Sequence, residues 1–329
     1  MKIAFVQSKE SLPSIFSPKA LELLGNMGEL IFNDGDGTPE QVKKTIKNAD
    51  IAITSWGNGL FTEDILDKAP DLKLIAHAAG TVKVIVTDEV WERKIRVTGS
   101  PKPLGEGVGE TALGFTLSAS KNFYNFSSVI HSGGWRDKSG GEALELYDIV
   151  IGVIGAGWAG RHYIRLLKNF DVDVILYDPY VGDKKAEEMG VKKVDFETLL
   201  KESDIVSVHA PSIPETNHMF NSDTFKLMKK DAVLINTARG SIIDEKALAE
   251  HMKAGNLKYA CLDVYDPEPP AKDSPLRDIP NIIMLPHVAG LSANGRKKIG
   301  MHIAKEIELF LSGERMECEV TRDMLATMA

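Results

Sequence analysis

The sequence predicts a protein of the α/β class with two domains, each containing a parallel sheet covered by helices. Short apolar segments alternate with amphipathic helical segments from the first residue, and the same alternation starts again at Ile149. Such alternation indicates β-α-β units, in which consecutive strands run parallel. The length of 329 residues also suits two domains, because single domains usually span about 100–200 residues.

The first domain is predicted from buried strands and the helices between them. The strands are Ile3–Val6, Leu30–Phe32, Ile51–Thr54, Leu72–Ala76 and Ile95–Thr98. Helical apolar spacing covers residues 18–27, 39–48 and 62–69. Prolines and glycines between Ser100 and Gly107 then mark the crossing into a second domain.

The second domain is predicted to start with a long helix over about 109–126. Strands are predicted at 149–154, 172–177, 204–208, 231–236, 258–262 and 282–285, a set that suits a complete dinucleotide-binding sheet. The closing segment, 292–312, has helical apolar spacing and is expected to pack on the first domain. We therefore expect a discontinuous substrate domain, 1–100 plus 291–329, and a cofactor domain, 101–290.

Composition and charge exclude several classes of function. The formal net charge of −8, without a long basic run, argues against nucleic-acid binding. The cysteines Cys261 and Cys318 form no CxxC pair, so neither a disulfide framework nor a metal site is predicted. No apolar stretch reaches the ~18 residues of a membrane span, and the N-terminal apolar run is too short for a signal peptide. We expect a cytoplasmic protein with no membrane partner.

A glycine-rich turn follows the first strand of the second domain. Gly155, Gly157 and Gly160 form a GxGxxG pattern that suits a tight turn, close approach of a pyrophosphate and close helix–strand packing. Asp178 ends the next strand, near the ~20-residue spacing expected for a carboxylate that accepts ribose hydroxyls. Alone, the glycines are equally typical of an ordinary turn, and Asp178 of a turn before Pro179. Together they predict a Rossmann-like site that prefers NAD to NADP.

Three later strands are followed by an arginine, a glutamate and a histidine: Arg239, Glu268 and His287. Because ligands bind at the carboxyl ends of parallel strands, we expect these side chains to converge there. Taken singly, Arg239 could be a surface cation, Glu268 a solvated charge and His287 a buried structural histidine.

Together the three groups suit hydride transfer to or from C2 of a small 2-hydroxy acid. An arginine fork can hold the substrate carboxylate and polarise the C2 oxygen. A histidine can take the hydroxyl proton during oxidation and return it during reduction. A carboxylate bonded to that imidazole fixes its tautomer.

These motifs resemble the D-isomer-specific 2-hydroxyacid dehydrogenase family over nearly the whole chain. The matching segments are Gly155–Gly160 with Asp178, Val208–Thr216, Leu234–Gly240, Asp263–Pro269, Pro286–Gly290 and, in the first domain, Leu72–Ala76. The resemblance implies Arg239 as substrate clamp, His287 as acid–base and Glu268 as its partner. It also implies two Rossmann-like domains with the active site in the cleft between them, and a homodimer formed largely through the helix near 109–126.

The resemblance extends the predicted cofactor and substrate sites. The loop amides of Ala79, Gly80 and Thr81 are expected to hold the carboxylate of a 2-hydroxy or 2-keto acid. His209 is expected to be a neighbour of the nicotinamide rather than a second base. The other residues assigned to NAD contact are Trp158, Ala159, Ala210, Pro211, Thr216, Thr237, Ala238, Asp263 and Gly290, beside Arg239 and His287. The formate-oxidising branch carries Gln in place of Glu268, which argues against formate.

Two residues carry more specific hypotheses. The family's loop usually reads Gly-Val-Gly-x-Asp-Asn, whereas His77–Lys83 lacks the acid and ends in lysine. Lys83 is hypothesised to meet a polar group on a 2-hydroxy acid of three or more carbons; the alternative is a solvated lysine. Trp135 is hypothesised to reach the partner's active site, and the alternative is a loop anchor in its own subunit.

Two other classes of function are alternatives. An NAD(H)-sensing regulatory protein on the same scaffold would keep the Arg–Glu–His set, although no extended disordered tail accompanies it here. A metal-assisted alcohol dehydrogenase would need Cys and His ligand clusters, which the sequence lacks.

Overall fold

The computed structural model describes residues 1–136 and 141–328. The chain divides into two compact units: unit 1 is Met1–Leu104 with Leu291–Ala329, and unit 2 is Gly105–Gly290. Each unit is built on a mainly parallel sheet, so the α/β class predicted from the sequence is confirmed. None of the helices in these residues is both long enough and apolar enough to cross a membrane.

The strands and helices are numbered in chain order. The strands are β1 (Lys2–Phe5), β2 (Glu29–Phe32), β3 (Ile51–Thr54), β4 (Leu74–His77), β5 (Arg96–Thr98), β6 (Tyr147–Ile154), β7 (Asp171–Tyr177), β8 (Lys192–Lys193), β9 (Ile205–Val208), β10 (Ala232–Asn236), β11 (Leu257–Leu262), β12 (Ile282–Met284) and β13 (Glu319–Val320). The helices are α1 (Leu12–Ile15), α2 (Pro18–Met27), α3 (Pro39–Thr45), α4 (Glu63–Leu66), α5 (Asp88–Glu92), α6 (Pro101–Ser120), α7 (Phe123–His131), α8 (Trp158–Leu167), α9 (Asp183–Met189), α10 (Phe196–Glu202), α11 (Ser222–Phe225), α12 (Glu245–Lys253) and α13 (Arg296–Ser312).

Unit 1 has a six-stranded sheet in the order β13-β5-β4-β3-β1-β2. Five strands are parallel, and β13 pairs antiparallel with β5 at the edge. Alternate residues of the strands face opposite sides, so β1 contributes Phe5 to one apolar cluster and Ala4 to the other. The helix predicted at 292–312 is α13, whose Ile299, Ile303 and Ile307 pack into the first of these clusters.

Unit 2 has a seven-stranded parallel sheet in the order β12-β11-β10-β9-β6-β7-β8. The predicted strands are all present, and the two-residue β8 is an additional edge strand. The chain proceeds from β6 to one side through β7 and β8, then crosses to β9 on the other side. This reversal between β6 and β9 is the topological switch point, where open α/β sheets bind their ligands.

The helix predicted at about 109–126 differs from the observed helices. The helix α6 starts at Pro101 and ends at Ser120, and Asn122 adopts a left-handed conformation (φ 58°) that separates it from α7. The segment taken as a Pro- and Gly-rich crossing is therefore helical. Proline is tolerated in a first helical turn because its missing N–H has no partner there. A Cβ on Gly105 would lie 2.8 Å from the Ala159 nitrogen, so glycine is required for α6 to approach α8.

A buried carboxylate fixes the C-terminal return of unit 1. Glu306, on α13, has no exposed surface. Its carboxylate accepts the backbone N–H groups of Glu317 (2.9 Å) and Cys318 (3.0 Å) and the hydroxyl of Thr98 on β5. These three bonds hold the segment before β13 against the sheet.

We expect Glu306→Ala to lower the free energy of unfolding by about 2–4 kcal/mol, because buried donors would lose their acceptor. The matched control is Glu308→Ala, an exposed acid on the same helix, for which a change below about 0.5 kcal/mol is expected. Chemical denaturation measures both, and equal effects would contradict the assigned role of Glu306.

Candidate active site

Six strands of unit 2 end in register along one edge of the sheet. The paired residues Tyr177, Ile154, Val208, Asn236, Leu262 and Met284 form one row across it. The residue that follows each of them leaves the sheet at the same edge. These following residues are Asp178, Gly155, His209, Thr237, Asp263 and Leu285. The register thus brings the predicted cofactor and catalytic segments of unit 2 to a single edge.

The glycine loop after β6 packs against neighbouring backbone at Gly155 and Gly160, and it has free space at Gly157. Gly155 has φ +89°, and a Cβ on it would lie 2.8 Å from the Ala210 nitrogen. A Cβ on Gly160 would lie 2.1 Å from the Gly155 oxygen, so both positions require glycine. At Gly157, the N-cap of α8, an added Cβ would meet no atom within 4 Å. The loop therefore fits a diphosphate, which a helix N-terminus favours through its dipole and amides.

Asp178 is buried and oriented at the end of β7. Its carboxylate accepts the backbone N–H of Ala156 through Oδ2 and that of Tyr180 through Oδ1, both at 2.8 Å. Each oxygen retains a further lone pair for a ribose hydroxyl, since a carboxylate can accept about four hydrogen bonds. The acid predicted to bind ribose thus lies directly beside the glycine loop.

Arg239 lies in a loop whose backbone is fixed by its neighbours. The Asn236 side chain accepts the Ala238 N–H (3.0 Å) and donates to the Arg239 carbonyl (2.9 Å). A Cβ on Gly240 would lie 1.9 Å from the Tyr265 carbonyl carbon, so only glycine allows this close approach. Burial lowers the pKa of Arg239, and the nearby charge of Glu268 opposes that shift. A guanidinium keeps its charge under such conditions.

His287 and Glu268, for which the sequence predicts acid–base roles, form a hydrogen-bonded pair. His287 Nδ1 lies 2.7 Å from Glu268 Oε2, and Glu268 Oε1 accepts the Tyr265 N–H at 3.0 Å. Because Glu268 takes Nδ1, the Nε2 atom of His287 is the nitrogen left for a reacting group. The His287 side chain is 50% exposed, which leaves that nitrogen accessible.

Asp263 has a role that sequence reasoning missed. It is buried after β11, and its two oxygens accept the N–H groups of Val288 and Ala289, both at 2.8 Å. Its carbonyl accepts the His287 N–H at 2.8 Å. Burial raises the pKa of Asp263, and the two backbone bonds oppose the shift. Asp263 thereby holds His287 at φ 53°, a conformation that residues other than glycine rarely adopt. The sequence signal for this role is only an acid at a strand end, and the contact of Asp263 with NAD stays a prediction.

The other predicted cofactor residues lie in the loops at the same edge. The Thr216 hydroxyl donates to the Pro211 carbonyl at 2.7 Å and so stabilises the loop that contains both residues. Thr237 Oγ1 and His209 Nδ1 are buried atoms without a hydrogen-bond partner in the described residues. The N-terminal turn of α8 contains Trp158 and Ala159, and the loops after β9, β10 and β12 contain Ala210, Ala238 and Gly290.

The predicted substrate loop of unit 1 follows β4 and is held by His77. The His77 ring is 2.8 Å from Thr54 Oγ1 through Nδ1 and hydrogen-bonds to the Thr81 backbone. Burial lowers the pKa of His77 to about 4, so the ring is neutral near pH 7. Ala79 is buried, whereas Gly80 and Thr81 are partly exposed.

The two residues with specific hypotheses are both on the surface of the chain. Lys83 is exposed, and its Nζ donates to the Met328 carbonyl at 2.6 Å. Its charge thus has a backbone partner within unit 1. Trp135 is 73% exposed, and the Arg136 guanidinium lies 5.9 Å from its ring centroid.

Comparisons with known proteins agree with this geometry. Residues 113–289 match the family model described as D-isomer specific 2-hydroxyacid dehydrogenase, NAD binding domain. A D-3-phosphoglycerate dehydrogenase from Methanocaldococcus jannaschii is 36% identical over 299 residues, which cover 91% of this chain and 56% of that protein. A glyoxylate reductase from Thermococcus litoralis is 32% identical over 271 residues, covering 80% of this chain and 82% of that protein. This chain thus spans about half the length of the phosphoglycerate dehydrogenase that it matches.

A solved structure shows the same fold. It is the NAD-complexed D-isomer specific 2-hydroxyacid dehydrogenase from Lactobacillus delbrueckii ssp. bulgaricus, with a TM-score of 0.83 and 24% identity over 98% of this chain and 100% of that one. The predicted family and the predicted NAD cofactor are confirmed by these matches. The chain belongs to the D-isomer specific 2-hydroxyacid dehydrogenase family, and residues 113–289 match its NAD-binding domain.

Proposed function

We propose that this protein is an NAD-dependent D-2-hydroxyacid dehydrogenase that interconverts a small 2-hydroxy acid and the corresponding 2-keto acid. The observation that carries the proposal is the 2.7 Å pair of His287 and Glu268 on the sheet edge that also presents Arg239 and the glycine loop. Bound NAD supplies the hydride acceptor, and NADH the hydride donor, for C2 of the substrate.

Arg239 supplies the positive charge for the substrate. Its planar guanidinium can hold a carboxylate through two parallel hydrogen bonds and can polarise the neighbouring C2 oxygen. Burial strengthens both interactions, because electrostatic attraction increases as water is excluded. In unit 1, the backbone amides of Ala79, Gly80 and Thr81 are the proposed second holder of the carboxylate.

His287 moves the proton that accompanies the hydride. During oxidation, its Nε2 takes the proton of the C2 hydroxyl; during reduction, the same atom returns the proton to the C2 oxygen. Glu268 stabilises the positive imidazolium and keeps Nδ1 protonated toward itself, so Nε2 always faces the substrate. Asp263 acts indirectly, because it fixes the backbone that carries His287.

A homodimer is part of the proposal. The helix α7 buries none of its residues within one chain, and its Phe123, Phe126 and Ile130 are exposed at spacings of one helical face. A second copy of the chain would cover this apolar face. The approach of Trp135 to the partner's active site, and the contact of Lys83 with a longer polar substrate, stay predictions.

The test of activity is NADH oxidation, followed optically, with glyoxylate, hydroxypyruvate, pyruvate, phosphohydroxypyruvate and sugar-derived keto acids. We expect turnover of at least one of them.

Arg239→Ala should lower kcat/KM by about 10²-fold or more, and His287→Ala should lower kcat by about 10²–10⁴-fold. Arg165→Ala on α8 and Lys201→Ala on α10, exposed residues of unit 2, are the controls and should keep parental rates. Near-normal rates in the first pair would overturn the assigned roles, and no turnover of any keto acid would favour a regulatory function.

Cofactor preference provides a separate test. The Asp178 carboxylate would repel a 2′-phosphate, so NAD(H) should be preferred to NADP(H) by at least ~10-fold in kcat/KM. Asp178→Ser should narrow that ratio of kcat/KM values, whereas Glu187→Ser, at an exposed acid of α9, should leave it unchanged. Equal specificity constants for the two cofactors in the parent protein would contradict this role of Asp178.

A further inference from the structure

The segments that follow β10 and β11 are joined at two points beside the candidate active site. The segment after β10 contains the arginine of that site and continues into α12, and the segment after β11 contains its glutamate. The first point is the close approach of Gly240 to Tyr265. The second is a hydrogen bond in which Glu245, the first residue of α12, accepts the Asp266 N–H through Oε1 at 2.9 Å. The Glu245 side chain thus reaches from one segment to the other.

The position of Glu245 is fixed by the start of its helix. Asp244 is the N-cap of α12, and its Oδ1 accepts the N–H groups of Lys246 and Ala247, both at 3.0 Å. The Asp244 N–H donates to the Phe220 carbonyl at 2.8 Å. The apolar face of α12 is part of the core of unit 2. The backbone that carries Glu245 is therefore held by hydrogen bonds and by packing.

The turn that Glu245 contacts has few backbone donors. The segment Tyr265–Pro270 contains three prolines, which have no N–H, so its N–H groups belong to Tyr265, Asp266 and Glu268. The Tyr265 N–H donates to Glu268 Oε1 and stays within the turn. The Asp266 N–H donates outside the turn, to Glu245. This bond ties the turn to a helix that the core holds in place.

The geometry of the turn decides where the Glu268 carboxylate lies. Glu268 Oε2 is 2.7 Å from His287 Nδ1, but the Glu268 and His287 side chains are 35% and 50% exposed. Packing alone therefore does not hold the pair together. Glu245 itself is partly buried; burial raises the pKa of its carboxyl, and the bond from the Asp266 N–H opposes that shift. The backbone bond to Glu245 lies two residues before Glu268 in the chain.

We propose that Glu245 is a positioning residue for proton transfer at His287, because its bond to the Asp266 N–H holds the turn in which Glu268 faces His287. The proton transfer itself belongs to the proposed function, on which this role rests. Without the bond, Glu268 would contact Nδ1 for less of the time and would stabilise the imidazolium less. Glu245 acts through Glu268 and carries no proton in the reaction.

Three substitutions separate the bond from the charge. Glu245→Gln keeps an oxygen that can accept the Asp266 N–H at the same reach, but it removes the charge. Glu245→Asp keeps the charge and shortens the side chain by one methylene group, which withdraws the carboxylate from that N–H. Glu245→Ala removes both. A positioning role predicts that the Gln variant resembles the parent and the Asp variant resembles the Ala variant; a role of the charge predicts the reverse.

The first readout is proton uptake by the His287 ring, which needs neither substrate nor cofactor. NMR follows the ring, with His287 assigned from the His287→Ala spectrum. In Glu245→Ala and Glu245→Asp, the ring should lose its proton at a pH about 0.5–1 unit lower than in the parent, because its positive form is stabilised less. Glu245→Gln should titrate as the parent does, and so should the control Glu250→Ala, at an exposed acid of the same helix. An unchanged titration in the Ala and Asp variants, or an equal shift in the Gln variant, would overturn the proposal.

The second readout is reduction of a keto acid by NADH at a series of pH values. Reduction needs the protonated ring, so the rate falls as the pH rises through the titration of His287. In Glu245→Ala and Glu245→Asp, this alkaline limit should move to lower pH, and kcat should fall by about 10-fold. Glu245→Gln should restore both. The Kd of NADH, measured by its fluorescence, should stay unchanged; a rise equal to the loss in kcat would indicate general damage and contradict the proposal.

The two readouts keep this role distinct from the proposed function. If the NMR shifts appear but no keto acid is reduced by the parent, the positioning role stands and the proposed function fails. If the parent reduces a keto acid and the Ala and Asp variants match it at every pH, the positioning role alone fails. Glu245→Asp serves if Glu245→Ala fails to fold, because an acid in a first helical turn is favourable.

Discussion

The parallel register of the unit 2 sheet is the constraint on which the site depends. Neighbouring strands lie about 4.8 Å apart, so strands that end in one row present their following loops side by side. Asp178, the glycine loop, His209, Arg239 and His287 all follow strands of this row. A slip of one residue in β10 would turn its buried side chains to the other face, so the apolar core itself enforces the positions of the functional loops.

Buried polar residues hold the loops at this edge of the sheet in fixed positions. Asn236 bonds to both sides of Arg239, and Asp263 holds the backbone from His287 to Ala289. Tyr265 donates to the carbonyl of Leu285, which joins the ends of β11 and β12. Each of these groups is satisfied within the loops, because a buried polar group without a partner would cost about 1–3 kcal/mol. His287 can therefore keep a left-handed backbone conformation that its side chain alone would not favour.

Local sequence patterns were sufficient for the parts of the structure that local chemistry decides. Apolar runs located the strands of both units except the two-residue edge strands β8 and β13, and the GxGxxG spacing located the turn at Gly155 and the start of α8 after Gly157. The pair of His287 and Glu268 was also foreseen, since both follow strands at one edge.

The remaining features depend on contacts between residues distant in the sequence. The left-handed residue Asn122 lies between two stretches of similar apolar spacing, so periodicity could not separate α6 from α7. The crossing predicted between Ser100 and Gly107 is helical instead, because the close contact of its Gly105 with α8 is invisible in the sequence. The bonds of Asp263 to Val288 and Ala289 could not be predicted, because they join residues 25 and 26 positions apart in the sequence. The bond from Lys83 to Met328 joins residues near opposite ends of the chain.

In the function proposed above, a hydride passes between nicotinamide and C2 at this edge of unit 2, while His287 moves only the proton on oxygen. The most direct measurement uses NADH deuterated at C4, on the face that transfers, with a keto acid that the protein reduces, in ordinary water. Mass spectrometry and chiral analysis of the product should show one deuterium at C2 and the D configuration. Protium at C2, or the L configuration, would contradict this account.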